Sequence, residues 1–230
     1  MHIQRFDSET ALAAAVSQVI IQAIQKKPNL LLCAATGNTP TLTYQALVAQ
    51  KSLFSADQLR IFKLDEWGGV PMEHPGTCES YLQEHLIQPL NIPADRYFSI
   101  QSNPADPEQE CARVQQLLQQ EGPIDLCVLG LGVNGHLAFN EPGAFLQPHC
   151  HIAQLTDDSL GHSMAKDMRD VKLYGLTLGM SDVLAAREIV LLITGPAKVE
   201  ITQRLLEAKI SSQLPASFLW LHSNVKVLIQ

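Results

Sequence analysis

The sequence predicts an α/β fold, an open, mainly parallel sheet with helices on both faces. Two observations carry this. Short apolar runs alternate with amphipathic stretches along the whole chain of 230 residues. Four polar motifs each follow directly on an apolar run: TGNTP after LLLCAA, DEWGG after RIFKL, VNGH after LCVLGLG, and TGPAK after IVLLI. In an open parallel sheet the carboxyl ends of the strands share an edge where ligands bind, so these four loops are expected to converge.

The elements follow in order. Ser8 with Glu9 marks a helix start, and the helix runs to about Lys26. Leu30 to Ala35 is an apolar strand; Pro40 then suits the first turn of a helix carrying Tyr44, Leu47 and Val48. Leu59 to Leu64 is the next strand, Thr77 to about Ile87 a helix, and Tyr97 to Ile100 a short strand. Pro107 to Gln120 is a helix with Cys111, Val114, Leu117 and Leu118 on one face. Ile124 to Leu131 is a strongly apolar strand that ends in a glycine-rich loop. Residues 143–170 are the least regular, rich in His and polar residues, and predict loops that form a lid-like region. Ile189 to Ile193 is a strand, a helix follows Lys198, and Val225 to Ile229 closes the chain as a strand. No repeat or linker divides this order, so one large domain over residues 1–230 is expected.

Composition narrows the function. Hydrophobic residues at 46% and charged residues at 17% describe a globular chain rather than a disordered one. A net charge of −7 disfavours non-specific nucleic-acid binding, which draws on clustered Lys and Arg. It leaves an anionic small-molecule substrate open, because a phosphate site is built locally from backbone N–H groups and a cation or two. The five cysteines have no paired spacing and read as reduced thiols. The first apolar stretch, residues 11–24, is broken by Ser17, Gln18 and Gln22 and reads as a helix face. No run approaches the ~18 apolar residues of a membrane span. A cytoplasmic protein without a membrane partner is expected.

Each loop offers chemistry beside a plainer reading. Thr36, Gly37, Asn38 and Thr39 form a phosphate cradle at a helix start, or an ordinary capped turn. Asp65 and Glu66 put a carboxylate at a strand end, suited to moving a carbon-bound proton, or make an exposed acidic turn. His136 and Glu141 place an imidazole five residues from a carboxylate that can fix its tautomer, or leave a hydrogen-bonded loop histidine. A metal reading would add His149, Cys150 and His151, but no recognised ligand spacing supports it, so neither metal nor organic cofactor is expected. Lys198 sits in a helix's first turn, where the dipole mildly disfavours a cation unless an anion binds there; otherwise it is a solvated side chain.

At GHLAFNEPG, together with LDEW and TGNTP, the chain resembles the glucosamine-6-phosphate isomerase/deaminase family. The segments HPGTCESYLQEHL, LQPHCHIAQL, LTLGMSDVLAAREIVLLITG and PASFLWLHSN extend the likeness toward the galactosamine-6-phosphate isomerase (deaminase) type, over nearly all of the chain from about Leu30. The resemblance implies a Rossmann-like sheet shared with 6-phosphogluconolactonases and a single isomerase/deaminase domain. It also implies a reaction: isomerisation with deamination of a hexosamine 6-phosphate, giving a ketose 6-phosphate and ammonia. By position Asp65 matches the base that moves a proton between carbons 2 and 1. His136 matches the imidazole that opens the sugar ring, and Glu141 its partner. Thr36 to Thr39 and Lys198 match phosphate-binding positions. Two positions depart from the pattern. Asn134 stands where many deaminases have Asp, and an amide orients His136 rather than acting as a base. Where the family has a second phosphate-binding Arg this chain has Ala165, with Lys166 beside it and His162 nearby as substitutes. The alternatives are a glucosamine-6-phosphate deaminase, a 6-phosphogluconolactonase and a non-catalytic sugar-phosphate sensor.

Overall fold

The computed structural model describes residues 1–168 and 170–230. Strand β1 is His2–Arg5, helix α1 Glu9–Lys26, β2 Leu31–Ala34, α2 Asn38–Ala49, β3 Arg60–Lys63 and β4 Asp65–Gly68. Helix α3 is Cys78–Leu82 and continues as a π-helical turn over Gln83–Ile87; β5 is Tyr97–Phe98, α4 Pro107–Glu121 and β6 Leu126–Gly130. Then come β7 His151–Ala153, α5 Asp157–Leu160, a 3₁₀ turn Ser163–Met168, β8 Tyr174–Thr177 and α6 Met180–Leu184. Strand β9 is Glu188–Ile193, α7 Val199–Leu206 and β10 Val225–Ile229. The starts read from sequence have physical caps: the Ser8 side chain accepts from Ala11 N, and Asp106 accepts from Glu108 N and Gln109 N ahead of α4.

Seven strands form the main sheet in the order β1-β10-β9-β6-β2-β3-β5, every neighbouring pair parallel. The chain starts outward from β2 to β3 and β5, then returns to lay β6 on the other side of β2 and continues to β9 and β10. The order therefore reverses between β2 and β6, the place where open sheets leave a crevice. TGNTP and VNGH leave the carboxyl ends of those two strands, and DEWGG and TGPAK leave the adjoining β3 and β9.

Strand residues alternate between the two faces. Leu31, Cys33, Cys127, Leu129, Ile189 and Leu191 pack with α4, α6 and α7 on one side. Leu30, Leu32, Leu126, Val128, Val190 and Leu192 pack with α1 and α2 on the other.

Three features differ from the sequence reading. DEW is a strand, β4, rather than a loop, and it joins a second, antiparallel sheet in the order β4-β8-β7. Strand β1 pairs with β10 at the edge, although its residues show no apolar alternation and are all exposed. The lid-like stretch 143–170, of which Arg169 lies outside the described residues, contains a strand and a short helix. Ala153, Leu155, Ala165 and Met168 bury there against Trp67, Cys78 and Phe139 in a small third core. No helix among the described residues is long and apolar enough to cross a membrane.

Candidate active site

At the switch point lies a cavity of about 360 Å³. Its walls include Thr36, Asn38 and Thr39 after β2, Asp65 after β3, His136 after β6 and Lys198 after β9. The 143–170 stretch adds Asp158, Ser159 and His162. The four loops thus meet, as the topology requires.

The cradle is built by Gly37, which caps α2 with φ +92 and offers no side-chain bond. A Cβ there would sit 3.2 Å from the His162 ring, so both the positive φ and the close approach select glycine. With no capping side chain and no acidic residue in the first turn of α2, its N–H groups are left for an anion. Lys198 is half-buried and forms no ion pair among the described residues; burial pulls its pKa down, and only Asp158 opposes this. A partly desolvated cation beside an uncapped helix start is an arrangement that an anion would complete. His162 lies between Gly37 and Trp67, its ring stacked on the indole at 6.3 Å between centroids. Burial, then the charges of His136 and Lys198, lower its pKa. Lys166 is exposed and outside the cavity wall, so of the two substitutes for the missing Arg it is His162 that faces the cavity.

Asp65 and Glu66 are both buried, which removes the exposed-turn reading. Strand alternation sends them opposite ways. Glu66 has no exposed surface and both its oxygens are engaged. Oε1 accepts from Trp67 N and Cys78 N at 2.8 Å each; Oε2 accepts from Glu79 N at 2.8 Å and Lys63 Nζ at 2.7 Å. Lys63, equally buried, also donates to Glu79 Oε2 at 2.9 Å. Glu66 therefore anchors the start of α3 and pairs with a buried cation. Asp65 faces the cavity. Burial, and after it the Glu66 charge, push its carboxyl up to about 7, against weaker opposing effects of Cys78 and Lys63.

The opposite wall is hydrogen-bonded throughout. Gly135 turns the chain at φ +89, where a Cβ would strike Leu214 at 2.3 Å, and the His136 ring packs on Gly132. Asn134 Oδ1 accepts from His136 N at 3.0 Å, and Asn134 Nδ2 donates to Glu141 Oε2 at 2.9 Å. His136 Nδ1 is 3.2 Å from the same oxygen. Thr156 Oγ1 also donates to Glu141 Oε2 at 3.2 Å, and Ser159 Oγ donates to Oε1. Burial alone would raise the Glu141 carboxyl, but the bond and charge of His136, with Ser159 and Asn134, bring it down to about 2. An ionised Glu141 places the imidazole proton on Nδ1 and leaves Nε2, beside Gly132, free to accept one. Neither Ser159 nor Thr156 was singled out in the sequence. The only local signal is the Thr156-Asp157-Asp158-Ser159 helix start.

His149, Cys150 and His151 do not join this site. His149 faces Asp182 at 3.2 Å, His151 Nδ1 bonds the His149 carbonyl, and Cys150 packs against the core on the α4 side. Among the described residues no three His, Cys, Asp or Glu side chains are grouped to hold a metal.

Comparison with known proteins adds five findings. The family described as glucosamine-6-phosphate isomerases/6-phosphogluconolactonase matches residues 5–229. The chain is 47% identical over 229 residues to AgaI of Escherichia coli (strain K12), a protein named only provisionally as a deaminase, covering 99% of this chain and 91% of that one. It is 35% identical to the glucosamine-6-phosphate deaminase of Bacillus pumilus (strain SAFR-032), covering 100% and 97%. Among solved structures, a monomeric glucosamine-6-phosphate deaminase superposes with a TM-score of 0.95 at 33% identity, covering 100% of this chain and 97% of that one. A 6-phosphogluconolactonase from Thermotoga maritima shares the fold, with a TM-score of 0.79 at 20% identity, covering 99% and 98%.

Proposed function

This chain belongs to the glucosamine-6-phosphate isomerases/6-phosphogluconolactonase family, and we propose that it deaminates and isomerises a hexosamine 6-phosphate, with galactosamine 6-phosphate giving tagatose 6-phosphate and ammonia. The observation that carries this reading is one cavity with Asp65 and His136 on its wall, the carboxylate Asp65 and the carboxylate Glu141 behind His136 being tuned in opposite directions. Asp65 is pushed up to about 7, where it can both take and return a proton near neutral pH, while Glu141 is held ionised beside His136.

In this reading the substrate's phosphate lies at the start of α2, held by Thr36, Asn38, Thr39, Lys198 and His162. Gly37 allows the close approach, and Lys166 stays outside the cavity wall in the described structure. His136 Nε2 takes the proton of the anomeric hydroxyl and returns it to the ring oxygen, opening the pyranose; Glu141 stabilises the charged imidazole, and Asn134 orients it. Asp65 then moves the proton from carbon 2 to carbon 1 while a proton passes from the nitrogen to the carbon 1 oxygen, turning the amino aldehyde into a ketose imine. Water adds at carbon 2 and ammonia leaves. Ring opening and isomerisation are carried by proton transfers, and the last step replaces the bond from carbon 2 to nitrogen with one to the oxygen of water, ammonia being the leaving group.

The galacto preference is supported by the sequence segments that resemble the galactosamine-6-phosphate isomerase type. The test is to offer both hexosamine 6-phosphates and 6-phosphogluconolactone, measuring ammonia, ketose phosphate and lactone hydrolysis. Equimolar ammonia and ketose phosphate are expected, with the higher kcat/KM on the galacto sugar. Lactone hydrolysis without ammonia would overturn the reaction. A higher kcat/KM on the gluco sugar would overturn only the preference.

A further inference from the structure

The adjacent carboxylates Asp65 and Glu66 are satisfied very unequally. Glu66 receives four hydrogen bonds. Asp65 meets one side-chain donor among the described residues, Cys78 Sγ, 3.7 Å from Oδ1. That thiol is itself held from two sides. Cys78 is the first residue of α3, and its N–H is fixed to Glu66 Oε1 at 2.8 Å. Its sulfur accepts from Thr36 Oγ1 at 3.1 Å, which directs its own proton toward Asp65. The side chain is 1% exposed and lines the same cavity as Thr36 and Asp65.

We propose that Cys78 is a positioning residue for Asp65, a weak donor that turns the carboxylate toward the substrate carbon without quenching it as a base, and that its sulfur ties this orientation to Thr36 in the phosphate loop. The inference rests on Asp65 acting as the carbon base. The weakness of the donor is the point. A carboxylate that accepts two or three strong N–H bonds falls below about 2 and loses its use as a base near neutral pH. A thiol gives direction at far smaller cost in basicity. The other titratable groups that act on Asp65 are Glu66 and Lys63 beside it; Asp65 in turn adds to the rise of Cys33 on β2 and Tyr44 on α2, both kept protonated chiefly by burial. His136 and Lys198 lie on the walls of the same cavity.

Two variants separate orientation from packing. Cys78→Val keeps the bulk and removes the donor, and Cys78→Ser keeps a donor. The readouts are the carbon-13 titration of the Asp65 carboxyl and the acid limb of kcat/KM. In Cys78→Val both midpoints should rise together by about one pH unit, with kcat about tenfold lower, and Cys78→Ser should restore them. A lower Tm with the Asp65 titration unmoved would mean packing alone and would overturn the proposal. In the wild-type protein the S–H infrared band of Cys78, assigned by its loss in Cys78→Ser, should shift as Asp65 titrates. A fixed band overturns the proposal even if Cys78→Val fails to fold. If the wild type releases no ammonia from either hexosamine phosphate, the proposed function falls; the titration and the infrared band need no substrate and still decide between contact and packing.

Discussion

Two carboxylates, Asp65 on the cavity wall and Glu141 behind His136, are treated in opposite ways. Asp65 is 8% exposed, has one weak side-chain donor, stands next to another carboxylate, and rises to about 7. Glu141 draws Asn134, His136, Thr156 and Ser159 around it and falls to about 2. Burial raises both, and the neighbours then act in opposite directions. The Glu66 charge adds to the rise of Asp65, whereas the bond and charge of His136, with the Ser159 and Asn134 donors, outweigh burial at Glu141; charge and donors together decide whether a carboxylate is left to exchange protons or kept as a fixed negative charge that steadies an imidazole.

The comparison breaks most visibly if Asp65 loses its charge. Asp65→Asn keeps the shape and removes the base, and should cut hydrogen exchange with solvent at carbon 2 by on the order of 10²–10⁴ while substrate binding persists. Near-normal exchange in proton NMR would mean that the raised carboxylate is not the carbon base.

The same variant sharpens the comparison through stability. The folded protein holds the Asp65 proton up to about pH 7, whereas the unfolded chain releases it near 3.8. This group therefore favours folding fully below 3.8, and its contribution is lost as pH rises through 7, a difference of at most about 4 kcal/mol. Glu141 has the opposite sign: its contribution is present above 4.5 and lost as pH falls toward 2. In urea unfolding across pH 4 to 8, Asp65→Asn should gain stability on the wild type as pH rises. Parallel curves would mean that Asp65 titrates normally in the folded state.

The smallest effect is expected at Ser159, whose hydroxyl donates to Glu141 Oε1 and lies 3.4 Å from His136 Nδ1. A hydrogen bond to a charged group is worth roughly 1.5–3 kcal/mol, and three other donors remain, so Ser159→Ala should slow turnover of the cyclic sugar about five- to tenfold. An open-chain analogue, which needs no ring opening, should lose less. Equal losses on both would place Ser159 outside the ring-opening step.

Much of the architecture was legible because it rests on local patterns. Apolar runs such as Leu126 to Leu129 cannot be solvated, and the loops that follow parallel strands must emerge on one edge; TGNTP, VNGH and TGPAK meet in the structure for that reason. Glycine at 37 and 135 is equally local, a backbone demand visible as residue type. The exposed, non-alternating β1 carried no such pattern, and neither did the antiparallel pairing of Asp65 with Thr177 and of His151 with the same residue.

By itself, then, the sequence determined which segments are buried, in what order they alternate, and which side chains stand at the carboxyl edge. Only the tertiary structure decided which neighbour of a charged pair becomes anchor and which base. Asp65 and Glu66 are the same chemistry one residue apart. Glu66 meets Lys63, Glu79 N and Cys78 N because β4 crosses to a second sheet and α3 folds back onto it, while Asp65 meets one thiol and the cavity. Proton affinity depends on desolvation and on donors brought from distant parts of the chain, and no local pattern encodes which of them arrive.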